Sequence, residues 1–133
     1  MPKFIFNKLI RDKLWDIMKG RGVTIEEKDL TPDEFIYALK NKLKEESDEV
    51  FEAKTTEELK EEIADVQEVL IALCKAADFN MQEIEEIRQK KNEKKGGFNI
   101  SKLGLTVTFE ENTDKLKEFA DYLRKDPKKY PEV

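Results

Sequence analysis

The chain contains no histidine and a single cysteine, Cys74. Without histidine there is no Ser-His-Asp or Cys-His catalysis and no His-bearing zinc site. One cysteine excludes an intrachain disulfide and any Cys cluster for zinc or iron–sulfur binding. Set among Leu70, Ile71 and Leu73, Cys74 reads as a small core or interface residue rather than a nucleophile. Chemistry is left to carboxylates, lysines, arginines and metal-activated water. No stretch approaches the roughly 18 apolar residues that span a bilayer, so no membrane partner is expected. The opening Met1-Pro2-Lys3-Phe4-Ile5-Phe6-Asn7 turns polar too soon for a secretory signal. The default expectation is a cytoplasmic protein. Positive charge is also in deficit: the net charge of −5 argues against a general nucleic-acid binder.

What the chain has is charge in quantity. Charged residues make up 41% and hydrophobic residues 38% of 133 residues. That balance suits one domain of amphipathic helices with solvated outer faces. A first helix is expected over about Lys8–Lys19, capped by Asn7 and ended by Gly20. Thr31-Pro32-Asp33-Glu34 is a strong helix start, with Thr31 as cap and Glu34 completing a capping box. That helix should reach about Ala53. Thr55 opens a third helix to about Ala77, Asn80 a fourth ended by Gly96-Gly97, and Thr113 a last one to about Lys125. Val23–Asp29 and Leu105–Phe109 read as short strands, candidates for a small β-ribbon.

Within this pattern, four acids stand out. Glu46-x-x-Glu49 and Glu62-x-x-Asp65 each place two carboxylates on one side of a helix. The pairs lie symmetrically about residues 55–56. A hairpin there would set Glu46 against Asp65 and Glu49 against Glu62. The flanking stripes are apolar: Ile36, Leu39, Leu43, Val50 and Ala53 on one side, Val69, Ala72 and Ala76 on the other. The acids thus continue seams that should be buried, where an unpaired charge costs several kcal/mol. Such convergent charge repels itself unless a cation sits there, and all-oxygen ligands suit Mg²⁺ or Mn²⁺. A second acidic run, Glu57, Glu58 and Glu61, has a cheaper explanation in the Thr55 cap and the positive end of its helix.

The pattern Glu45-Glu46-x-x-Glu49 followed by Glu62-x-x-Asp65 resembles the signature of the all-α nucleoside triphosphate pyrophosphohydrolases. These include MazG-like proteins, dimeric dUTPases and phosphoribosyl-ATP pyrophosphohydrolases. Asn7-Lys8-Leu9-Ile10-Arg11-Asp12-Lys13 looks like the opening of small MazG-like house-cleaning proteins. Arg88-x-x-Lys91-Asn92-x-x-Lys95-Gly96-Gly97-Phe98 looks like the basic end of their fourth helix. The resemblance covers about residues 7–98. It implies a mainly α fold, an antiparallel helical bundle, as one domain over 1–133 with core 7–98 and a C-terminal extension 99–133. It further implies a Mg²⁺-dependent enzyme that cleaves between the α and β phosphates of a nucleoside triphosphate, giving the monophosphate and pyrophosphate. Glu46, Glu49, Glu62 and Asp65 would hold the metal, with Glu45 in support. Glu46 or Glu49 would take a proton from water. Lys8, Arg11, Lys13, Arg88, Lys91, Asn92 and Lys95 would bind substrate, and Trp15 or Phe98 would stack a base. A homodimer or homotetramer is implied as well. The alternatives are a phosphoribosyl-ATP pyrophosphohydrolase, a module that binds nucleotide or metal without turnover, and a structural adaptor whose acids are merely solvated.

Overall fold

Three threonines and an asparagine start four of the helices that this chain forms. The computed structural model describes residues 1–133. It has five helices and no strand: α1 (Asp12–Gly20), α2 (Pro32–Glu52), α3 (Thr56–Ala76), α4 (Met81–Lys95) and α5 (Asp114–Arg124). Thr31 accepts from the Glu34 amide while the Glu34 carboxylate accepts from the Thr31 amide, a complete capping box. Thr55 accepts from the Glu58 amide; the Glu58 carboxylate reaches back one residue further, to the Lys54 amide. Asn80 caps α4 and Thr113 caps α5. Each cap satisfies an amide that the first turn leaves without a partner.

Helix ends follow the same logic. After α1, Gly22 takes φ +88. Its amide bonds Lys19 O and the Val23 amide bonds Met18 O, the Schellman arrangement. After α3, Asp78 takes φ +65, with Asp78 N on Lys75 O and Phe79 N on Cys74 O. Gly96, at φ +80, closes α4.

Two expectations fail. The first helix does not begin at Lys8 under an Asn7 cap. It begins at Asp12, because Arg11 is extended (φ −58, ψ 144) and Asn7 sits at φ +48. Residues 8–11 run across the molecule instead, with Lys8 and Arg11 bound to acids of α2 and α3. Nor is there a β-ribbon: Val23–Asp29 and Leu105–Phe109 carry no ladder. An isolated two-stranded ribbon is marginal in water. Ile25 instead lines a cavity together with Trp15, Leu30 and Phe35.

Helices α2 and α3 form an antiparallel hairpin, the one extensively packed helix pair. Its interior holds Leu39, Val69 and Cys74 together with Glu46. On α3 the partly or fully buried positions include Glu62, Asp65, Val69, Ala72 and Ala76, while Leu59 and Ile63 stay exposed. The Cys74 thiol lies 3.4 Å from Met81 Sδ at the α3–α4 corner. No residue of α4 is buried.

The chain divides into two compact units, Met1–Gly96 and Gly97–Val133. The second is built on α5. Phe119 packs on Phe109 with ring centroids 5.2 Å apart, Tyr122 lies 6.2 Å from Tyr130, and Ala120 is buried. Arg124 ties together the segments before and after α5 by binding Glu111 at 2.7 Å and Glu132 at 2.8 Å. No helix is long and apolar enough to cross a membrane.

Candidate metal and nucleotide site

The α2–α3 hairpin brings Glu46, Glu49, Glu62 and Asp65 together. One carboxylate oxygen from each lies within 4.8 Å of the other three. Residues three apart share a helix face, and the three-residue turn 53–55 is short enough to hold the two faces in register. Glu46 is the most enclosed of the four, at 7% exposure. The other three are half-buried.

The electrostatics show what this convergence costs. Burial pushes the Glu46 carboxyl above the usual carboxylate range, and its hydrogen bond with Glu49 pushes it the same way. Glu49 is raised first by its hydrogen bond with Glu62, then by burial and the Glu62 charge. Two buried oxygens, Glu46 Oε2 and Glu62 Oε2, have no hydrogen-bond partner. An unsatisfied buried acceptor costs about 1–3 kcal/mol, more if charged. Two orphaned carboxylate oxygens on members of one four-acid cluster therefore fit a cation there.

Some positive charge is already near. Lys42 Nζ is 3.4 Å from Glu46 and 3.7 Å from Glu45. Lys8 Nζ is 2.9 Å from Glu45, which holds the Glu45 carboxyl below its ordinary value. Arg11 Nη2 is 2.6 Å from Asp65 Oδ1. Lys42 was not among the residues expected from sequence. Its signal is the spacing of three to Glu45 and four to Glu46 on one helix. Beside these residues, a cavity of about 270 Å³ is lined by Asn7, Lys8, Tyr37, Asn41, Lys42 and Glu45 among others. A second, of about 790 Å³, is lined by Phe6, Trp15, Ile25, Leu30 and Phe35.

The remaining candidates lie elsewhere. Lys13 is exposed at the start of α1. Arg88 is held by Glu85 of its own helix, Nε to Oε2 at 2.8 Å. Lys91, Asn92 and Lys95 are exposed on α4, a helix without extensive packing against any other. Trp15 carries the Lys19 ammonium 5.2 Å from its ring centroid. Phe98 is fully exposed. Within the single chain, then, the acids gather Lys8, Arg11 and Lys42, and the α4 cations stay on their own helix.

A model of the phosphoribosyl-ATP pyrophosphohydrolase family matches residues 11–92, more than half of the chain and all of the four-acid hairpin. The chain belongs to this family. As a phosphoribosyl-ATP pyrophosphohydrolase family member it is a pyrophosphohydrolase of the MazG-like all-α superfamily, and the family implies a nucleotide substrate. Searches of curated proteins and of solved structures each gave no match. The matched span ends at Asn92, so α5 and the unit around it lie outside it.

Proposed function

We propose that this family member is a Mg²⁺-dependent nucleoside triphosphate pyrophosphohydrolase, releasing pyrophosphate and a nucleoside monophosphate in the clearance of non-canonical or surplus nucleotides. The observation that carries the reading is the set of four carboxylates within 4.8 Å, two of whose buried oxygens lack any partner. An all-carboxylate donor set suits a hard divalent cation, Mg²⁺ or Mn²⁺. Glu46, Glu49, Glu62 and Asp65 would hold it. When bound, the cation neutralises phosphate oxygens and makes a water molecule more acidic.

The chain's own residues supply the rest. Glu49 or Glu46 takes the proton of the attacking water, since both are inside the cluster and neither depends on histidine. The water oxygen bonds to phosphorus as the α–β bridging bond breaks, and the electron pair leaves with pyrophosphate. Lys8, Arg11 and Lys13 answer phosphate charge from the α1 side. Arg88, Lys91, Asn92 and Lys95 form a second basic surface on α4. In a homodimer or homotetramer that surface would close over the acids of a neighbouring chain. Support comes from Leu59 and Ile63, exposed on the packed helix pair, and from α4, which buries nothing on its own chain. A cytoplasmic location suits such a substrate.

The match to the family model favours a second reading, hydrolysis of phosphoribosyl-ATP by the same residues. One assay tests both. Pyrophosphate release is measured with Mg²⁺ on a panel of canonical and modified NTPs and dNTPs plus phosphoribosyl-ATP, beside Glu49→Ala. Release that Glu49→Ala abolishes is expected, and the best substrate decides between the readings. Nucleotide binding without product across the panel would show a binding module instead.

A further inference from the structure

Two of the cations beside the acidic cluster, Arg11 on one of its four acids and Lys8 on the adjoining Glu45, come from a segment that belongs to neither helix of the hairpin. Arg11 Nη2 sits 2.6 Å from Asp65 Oδ1 and Lys8 Nζ sits 2.9 Å from Glu45 Oε1. Residues 1–10 are neither helix nor strand, and Arg11 is the extended residue that leads into α1. Both side chains are about half exposed. Lys42 differs: it is anchored within α2 and only 23% exposed. Arg11 and Lys8 can therefore leave their carboxylates by movement of an irregular segment, whereas the backbone of Lys42 is fixed in a helix beside its two acids.

Asp65 is then claimed twice, by a guanidinium in direct contact and by any divalent cation held by the four acids. Like charges a few ångströms apart repel strongly in partly buried surroundings. We infer that Arg11 is a displaceable counter-ion: a divalent cation binding the four acids releases it from Asp65, and the freed guanidinium passes to the polyphosphate of the nucleotide. Planar guanidinium pairs well with carboxylate and with phosphate alike, so Arg11 has a partner before and after the exchange. The inference rests on the reading that these acids hold a divalent cation and that the substrate is a polyphosphate. It adds an order of events: cation first, arginine to phosphate second.

The test uses the full chain and reads binding. Mn²⁺ affinity is measured by calorimetry for the wild type, Arg11→Gln and Arg11→Lys, with melting curves showing each to be folded. Arg11→Gln is expected to bind Mn²⁺ about fivefold more tightly, with the gap narrowing as salt is raised. Arg11→Lys, which keeps the charge, should stay near the wild type. With Mn²⁺ saturating, α,β-methylene-ATP should bind Arg11→Gln about tenfold more weakly than the wild type. The opposite signs of the two effects are the signature of the exchange. Mn²⁺ affinity unchanged or weakened in Arg11→Gln overturns the inference, and Arg11 then merely orients Asp65. Tightened Mn²⁺ with unchanged or absent analogue binding overturns the transfer to phosphate. Absence of Mn²⁺ binding in all three proteins overturns the metal reading itself, and the inference with it.

Discussion

Glu46 has one carboxylate oxygen facing Lys42 and the other facing no partner, at a depth where nearly all of its surface is hidden. Removing its charge should therefore help the chain fold and harm what it binds. Glu46→Gln is expected to raise stability in the absence of divalent cation by about 1 kcal/mol. It should also abolish most of the rise in melting temperature that Mg²⁺ or Mn²⁺ gives the wild type. Differential scanning fluorimetry with and without the ion checks both signs. The pH dependence follows from the same carboxylates. Glu46 and Glu49 have folded-state values above the ordinary 4.5, so between those values the native state binds more protons than the unfolded one. Stability without metal should rise as pH falls through that interval. Glu34 acts in the opposite sense. Its hydrogen bond to Lys28, with the Thr31 backbone and side-chain bonds, lowers it from 4.5 to about 2. The stability it contributes is present above 4.5 and lost as pH falls towards 2. Urea midpoints across pH should pass through a maximum on the acidic side of neutrality; a steady fall from neutral pH downwards would contradict the assignment.

At the scale of elements, the sequence was most legible where side chains act on their own backbone. The Thr31 box, the Thr55, Asn80 and Thr113 caps and the Gly96 stop all depend on contacts within a few residues, and each marks its helix to within a residue or two. Thr31→Ala should cost about 1 kcal/mol by equilibrium denaturation. Asp78→Gly should do the reverse, stabilising by about 0.5 kcal/mol, because Asp78 holds a left-handed conformation that glycine adopts freely. Legibility failed where the deciding contact was distant. Nothing near Lys8 forbids helix. The pairs to Glu45 and Asp65, 37 and 54 residues away, are what accompany its extended path. The strand expectation for Val23–Asp29 failed similarly, since alternation does not say whether a pairing partner exists. The four-acid convergence sits between these cases. Its register follows from helix periodicity and a short turn, so it could be read from spacing, whereas Lys42 went unread although its spacing to both acids was plain.

For the molecule as a whole, the balance of surface is unusual. Leu39, Val69, Cys74 and Ala120 are the only buried apolar residues, and none of them is completely enclosed, while Ile63 is 52% and Phe51 91% exposed. A helix such as α4, with nothing buried, is marginal in isolation at its length of 15 residues. Both features agree with assembly from more than one copy, so light scattering is expected to give at least a dimer. Ile63→Glu should shift that distribution towards monomer, since it sets a charge on the apolar surface that α3 leaves uncovered on its own chain. A wild-type monomer at micromolar concentration would remove the support these residues lend to an assembled site.

Cys74, the chain's one sulfhydryl, is enclosed against Met81 where α3 meets α4. Because no other residue can react, the rate at which a thiol reagent labels the native protein reports a single event, the transient parting of that corner. When closing outpaces labelling, the ratio of that rate to the rate in denaturant gives the free energy of the opening directly. The protein thus carries its own chemical gauge, one that tells whether cation or nucleotide tightens the bundle far from the carboxylates without any added probe.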